Sequence, residues 1–126
     1  MSNRSRRVLL IDDNVDAAES LAQLLALSGH DTRIAPDGTH GLALAAEFTP
    51  EVVFCDLGLP GINGYEVARR LRAMPFGRDM VVVAVTGYGQ PDDREKTAQA
   101  GFDAHLVKPV DPALIEGFLL NCPTPS

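Results

Sequence analysis

The sequence predicts an open α/β domain: a parallel five-stranded sheet in the order 2-1-3-4-5, with five helices on its two faces. Three observations predict it. Short apolar runs alternate with segments of helical periodicity, and that alternation makes a parallel sheet covered on both sides. The runs Val8-Leu9-Leu10-Ile11, Val52-Val53-Phe54-Cys55 and Met80-Val81-Val82-Val83-Ala84-Val85 are apolar without interruption, as strands buried on both faces must be. Finally, the runs stop at polar residues, Asp12-Asp13, Asp56 and Thr86, and the carboxyl ends of the strands are where chemistry collects in such sheets.

Each element can be justified in turn. Arg7-Val8-Leu9-Leu10-Ile11 is the first strand and ends at Asp12-Asp13. Asn14 or Asp13 can cap the helix that follows. Ala17, Ala18, Leu21, Leu24 and Leu25 repeat at helical spacing, and Gly29 closes that helix. Residues 31–35 form a short, more polar strand suited to a position near the sheet edge. Asp37-Gly38 makes a turn, and Leu42, Leu44, Ala45, Ala46 and Phe48 carry the second helix. Pro50 precedes the central strand, which ends at Asp56. Leu57-Gly58-Leu59-Pro60-Gly61 then breaks the chain. Asn63 with Glu66 three residues on resembles a capping box, and Val67, Ala68 and Leu71 form that helix's apolar stripe. The fourth strand runs from Met80 to Val85 and ends at Thr86. Gly87-Tyr88-Gly89-Gln90 is a loop, Pro91 suits a first helical turn, and Gly101 suits the end. The adjacent Asp92-Asp93 pair complements the helix dipole. Ala104 to Val107 is a fifth strand ending at Lys108-Pro109. Asp111-Pro112 opens the last helix, whose buried face is Leu114, Ile115, Phe118 and Leu119. Right-handed crossovers leave few topologies for this order, and the flavodoxin-like arrangement fits best.

The chain of 126 residues is the size of one domain. A core of about residues 7–121, with short mobile termini, accounts for residues 1–126 as a single unit. Hydrophobic residues make up 45 %, enough for a core without staples. No apolar run reaches the length of a membrane span, and the start Met1-Ser2-Asn3-Arg4-Ser5-Arg6-Arg7 lacks a signal peptide's apolar centre. A cytoplasmic protein is expected. The net charge of −6 disfavours nucleic acid as a partner. Cys55 and Cys122 match no zinc or redox spacing and read as reduced thiols.

The strand ends gather an unusual set: Asp12 and Asp13, Asp56, Thr86 and Lys108. Crowded carboxylates repel, so such a site raises their pKa values or holds a cation. An all-oxygen cluster suits a hard ion that keeps several waters, Mg²⁺ rather than zinc. A Mg²⁺ ion and a lysine around one carboxylate would neutralise charge on a transferring phosphoryl group. An Asp can then serve as nucleophile and become an aspartyl-phosphate. Taken singly, these residues have plainer roles. Asp12-Asp13 could be capping acids, Asp56 a turn residue, Thr86 an ordinary strand residue and Lys108 a solvated lysine. Tyr88 suits a plain surface position as well as a partner-binding face. The set carries the argument.

Four segments in order resemble the receiver domain of bacterial two-component response regulators, along nearly the whole chain. They are Leu10-Ile11-Asp12-Asp13-Asn14, Asp56-Leu57-Gly58-Leu59-Pro60-Gly61-Ile62-Asn63-Gly64, Ala84-Val85-Thr86-Gly87 and Leu106-Val107-Lys108-Pro109. The resemblance implies a chemotaxis-receiver-like phosphoacceptor switch. Asp56 would take a phosphoryl group from the phosphohistidine of a histidine kinase or histidine phosphotransfer protein. Asp13, Asp56 and the backbone carbonyl of Gly58 would hold Mg²⁺, with Asp12 reaching it mainly through water. Thr86 and Lys108 would bind the phosphoryl oxygens, and the Lys108–Pro109 peptide would be cis. The switch residues would be Thr86 and His105, the imidazole either turning inward behind Thr86 on activation or staying outward on the partner-binding face in both states. A downstream protein would read the face of strand 4, helix 4 and strand 5. The chain departs from the commonest pattern at His105, where Tyr or Phe is usual, and at Gly58, which has no side chain. Gly87-Tyr88-Gly89-Gln90 is similar to receivers attached to hybrid histidine kinases.

Three rival readings are weaker. An Asp-nucleophile phosphatase needs a general acid two residues after the nucleophile, and Gly58 stands there. A flavin module needs a phosphate-cradling loop after the first strand, but two acids begin it. A docking module without regulated phosphorylation would have no use for the full set of acids, Thr86 and Lys108. No activity on a separate substrate is expected beyond self-phosphorylation and self-dephosphorylation. The sequence ends soon after its last helix, so no DNA-binding effector is expected to follow; the receiver would be free-standing or excised from a larger chain.

Overall fold

The computed structural model describes residues 6–59, 61–87, 94–108 and 111–121. Five expectations lie outside those residues: the loop at Tyr88-Gly89-Gln90, the helix start at Pro91 with Asp92-Asp93, the Lys108–Pro109 peptide, Cys122, and the terminal segments. The strands are β1 (Arg7–Ile11), β2 (Asp31–Ala35), β3 (Val52–Asp56), β4 (Val81–Thr86) and β5 (Ala104–Val107). The helices are α1 (Val15–Leu27), α2 (Gly38–Phe48), α3 (Gly64–Arg72), α4 (Arg94–Ala100) and α5 (Pro112–Asn121). All strand pairs are parallel, and the order is β2-β1-β3-β4-β5.

Alternate side chains of each strand go to opposite faces, and the core divides accordingly. On one face Leu9, Ile11, Val53, Cys55, Val82 and Ala84 pack with Ala45, Val67, Leu71 and Ala100 of α2, α3 and α4. On the other, Val8, Leu10, Val52, Phe54, Val83 and Val85 pack with Ala18 and Leu25 of α1 and Ile115 and Leu119 of α5. Each fully buried side chain of this kind stabilises the fold by about 1.5–3 kcal/mol.

The helices start and stop where the chain provides caps. Asn14, Asp37 and Asn63 each accept a backbone N–H in the first turn, from Ala17, His40 and Glu66. Gly29 and Gly101 take positive φ, +91° and +108°, just past α1 and α4, the left-handed conformation a side chain would oppose.

Three helix-face expectations and one strand start are corrected. Ala17 and Leu24 of α1 are exposed; Ala18 and Leu25 hold the core. The buried residues of α2 are Gly38, Gly41 and Ala45, whereas Ala46 is exposed and Leu42, Leu44 and Phe48 are half-buried. A Cβ on Gly41 would sit 2.8 Å from Ile11 Cγ1, so small residues let α2 lie directly on β1. Leu114 of α5 is 61 % exposed, while Ile115 and Leu119 are buried; the Phe118 side chain lies outside the described residues. Met80 is buried but precedes β4, its carbonyl accepting from the Arg72 guanidinium.

Candidate functional site

The parallel sheet delivers Asp12, Asp56 and Lys108 to one edge, because β1, β3 and β5 end immediately before or at them. β3 and β4 stay in register to the last residue, with Asp56 opposite Val85. The Leu57 N–H then bonds the Val85 carbonyl at 3.0 Å, extending the ladder past Asp56. On the far side, the Lys108 N–H donates to the Thr86 carbonyl at 2.7 Å. The Asp56 carboxylate and the Lys108 ammonium therefore rise from a fixed backbone.

Lys108 Nζ lies 2.9 Å from Asp56 Oδ2 and 2.9 Å from Asp12 Oδ2. The other Asp56 oxygen accepts the Gly58 N–H at 2.8 Å, and the other Asp12 oxygen accepts the Asn14 N–H at 2.9 Å. Asp56 is 7 % exposed, Asp12 half-buried and Asp13 exposed. Oxygens of Asp12, Asp13 and Asp56 all come within 4.8 Å of one another. Three carboxylates against one ammonium leave a formal charge of −2, which one divalent cation would offset. The all-oxygen donor set fits a hard cation such as Mg²⁺. The residues present thus suit that ion.

Partial burial presses Lys108 towards its neutral form. The hydrogen bonds and charges of Asp12 and Asp56 more than offset this, and hold its pKa above the ordinary lysine value. Burial, then the charges of Asp56 and Asp12, push the Cys55 thiol far up; Cys55 is an inert core thiol rather than a nucleophile.

Thr86 and His105 form a second pair. Their positions follow from the β4–β5 register, which sets Ala84 opposite His105 and Thr86 opposite Val107. The Thr86 hydroxyl is buried and lies 3.0 Å from His105 Nε2, with the Leu106 carbonyl at 3.5 Å. The ring meets the Thr86 hydroxyl in this structure.

Two features escaped sequence reading. Of the two caps the sequence offers, Asn14 and Asp13, Asn14 is the one used, and its backbone N–H also holds Asp12. Gly64 seats the first turn of α3 against Asp56: a Cβ there would lie 2.8 Å from the Asp56 carbonyl oxygen and 2.8 Å from Leu57 Cα. The signal for Gly64 was its place just after the capping Asn63. A cleft of about 490 Å³ opens from the site between α1 and α5, floored by Leu10, Phe54 and Val85.

Fold and site together define a class: open parallel α/β domains with a carboxylate cluster at the strand ends. Residues 8–119 match the response regulator receiver domain family, and the chain belongs to that family. It is a phosphoacceptor module of two-component signalling, not an ordinary enzyme. The chain is 31 % identical over 105 residues to an uncharacterized 14.6 kDa protein of Leptolyngbya boryana, covering 83 % of this chain and 80 % of that one. It is 35 % identical to the DNA-binding dual master transcriptional regulator RpaA of Synechocystis, over 83 % of this chain and 44 % of RpaA. The chain thus spans less than half of that regulator's length. Among solved structures it is similar to the receiver domain of sensor histidine kinase PA1611 from Pseudomonas aeruginosa. The TM-score is 0.83 and the identity 27 %, over 94 % of this chain and 98 % of that one; that domain has a magnesium ion coordinated in its active-site cleft. No described helix is long and apolar enough to cross a membrane.

Proposed function

We propose that Asp56 is the phosphoacceptor of a two-component phosphorelay. The observation that carries this reading is the ammonium of Lys108 set 2.9 Å from both Asp56 and Asp12 in a cluster of three acids. An Asp56 carboxylate oxygen attacks the phosphorus of a phosphohistidine. The O–P bond forms as the P–N bond breaks, and the imidazole leaves with the electron pair and takes up a proton. The Gly58 N–H and Lys108 fix the two carboxylate oxygens beforehand, so orientation is set before reaction. As the phosphoryl group arrives, Lys108 and Thr86 bind its oxygens. Asp13, Asp56 and the Gly58 carbonyl would hold Mg²⁺, with Asp12 reaching it through water. The ion, when bound, supplies a second positive charge for the developing negative charge.

The output runs through Thr86 and His105. A hydroxyl drawn to the phosphoryl group leaves its place beside His105, and the ring follows into the space. That biases two arrangements of the β4–α4–β5 face, and a downstream protein reads the difference. The donor is a histidine kinase or histidine phosphotransfer protein in the cytoplasm. With a net charge of −6, nucleic acid is no partner of this domain.

Incubation with acetyl phosphate and Mg²⁺, read by intact mass, should add one phosphoryl group to the wild type and none to Asp56→Asn. Equal labelling of the mutant would show the assignment to be wrong. Titration should show Mg²⁺ affinity reduced more by Asp13→Ala than by Asp12→Ala. The reverse order would reassign the ligands.

A further inference from the structure

Arg72, the last residue of α3, is bonded to several segments at the end of the sheet away from Asp56. Its Nε–H donates to the Gly101 carbonyl at 2.8 Å, and Nη1 donates to the Gly77 carbonyl at 2.8 Å. Nη1 also donates to the Met80 carbonyl, and Nη2 meets Asp103 Oδ2 at 2.6 Å. That carboxylate oxygen accepts the Val82 N–H at 2.9 Å, while the Asp103 N–H donates to the Val82 carbonyl at 2.7 Å. The aliphatic stem of Arg72 covers Gly101, where a Cβ would lie 2.9 Å from Arg72 Cγ. Only a guanidinium has enough fixed donors to serve so many acceptors together.

α4 crosses back over the sheet between two parallel strands, so its last turn lies at the end that Arg72 grips. That turn is further closed by Gly101 N–H on the Ala98 carbonyl and Phe102 N–H on the Thr97 carbonyl, both at 3.1 Å. The buried Phe102 ring stands edge-on to Tyr65 of α3, 6.5 Å between centroids. Nearer its start, α4 meets α3 through the exposed Lys96 ammonium, 4.6 Å from the Tyr65 ring centroid. An exposed cation–π contact is weak. The guanidinium clamp at the other end includes an ion pair, and joins the end of α3 to the segment before β4 (Gly77, Met80) and to the α4–β5 connection (Gly101, Asp103).

We propose that Arg72 is a positioning residue of the switch. It fixes the last turn of α4 as a pivot, and confines movement driven from the Asp56 edge to the helix's first turn. This rests on the reading that phosphorylation biases the β4–α4–β5 face. A purely structural arginine would stabilise both arrangements equally and leave the pattern of movement alone.

The test uses the full chain with Mg²⁺, with and without beryllofluoride as phosphoryl mimic, followed by backbone amide shifts. In the wild type, mimic-induced shifts over residues 94–97 should exceed those over 98–103 on the order of threefold or more. In Arg72→Lys, shifts should spread into 98–103 and erase the gradient. Asp103→Asn keeps an acceptor for Val82 but loses the ion pair, and should erase the gradient in part if Arg72→Lys fails to fold. Labelling of Asp56 by acetyl phosphate should stay within about twofold of wild type in both, as expected for distant, independent sites. A wild type that shifts evenly along α4 overturns the pivot, as does an unchanged gradient in the folded variants. Absence of both labelling and shifts in the wild type overturns the switch reading itself, and the pivot with it.

Discussion

The two ends of the sheet handle charge in opposite ways. At the carboxyl end, Asp12, Asp13 and Asp56 crowd around Lys108. At the amino end, charges come paired. Arg6 meets Glu51 at 3.4 Å, and Arg72 meets Asp103 at 2.6 Å. His30 Nδ1 accepts the Arg6 N–H at 3.1 Å, its Nε2 lies 3.3 Å from Glu116, and Glu116 also takes the Ser28 hydroxyl. Paired charges hold the chain entries in one arrangement. An unbalanced cluster leaves free energy to be gained by whatever brings positive charge or spreads negative charge. The difference teaches which end is built to stay still and which to respond.

That contrast predicts how substitutions divide. The largest effects should come from Cβ atoms forced against backbone. Gly64→Ala puts one 2.8 Å from the Asp56 carbonyl, and Gly77→Ala puts one 2.7 Å from the Arg72 carbonyl. Each should cost about 3 kcal/mol in urea unfolding, but only Gly64→Ala should also slow labelling of Asp56. Equal slowing in both would erase the distinction between the two ends.

Glu51→Ala removes a carboxylate that faces Arg6, which is 3 % exposed, and that accepts the Arg7 N–H at 3.2 Å. The expected cost is about 2 kcal/mol, the range for stripping a partner from buried polar groups. Labelling should be unchanged. A stability matching wild type would show that the pairing at the amino end does little.

Removing a charge at the other end should do the reverse. Asp13→Asn relieves crowding in the acid cluster, and in Mg²⁺-free buffer should raise stability by up to about 1 kcal/mol. Added Mg²⁺ should shrink or invert that gain, because the wild type binds the ion more tightly. A loss of stability without Mg²⁺ would mean that the three acids do not strain one another.

The smallest effect concerns pH. Folding raises the Lys108 pKa, so its contribution to stability is full below the ordinary lysine value of 10.5 and is lost as pH rises through the higher folded value. The difference in stability between wild type and Lys108→Met should therefore decline only in strongly alkaline solution. Measured by urea midpoints across that range, a flat difference would contradict the pairing of Lys108 with Asp12 and Asp56.

The sequence by itself determined the sheet, its strand order, and the edge where chemistry gathers. Short uninterrupted apolar runs rich in Val, bounded by breakers, suit buried strands, and each run's end is marked by a polar residue that a core would not accept. Those signals are local, so Asp12, Asp13, Asp56 and Lys108 are readable as a set from the sequence alone. Tertiary structure alone decided what depends on the approach of distant segments. It sets Gly41 and Gly64 where no Cβ fits, exposes Leu24 and Leu114, and brings Arg72 to Gly77, Met80, Gly101 and Asp103. Helical spacing names a face but not how closely a neighbour packs upon it. An arginine at a helix end looks the same in sequence whether it faces water or ties its helix to two other chain connections.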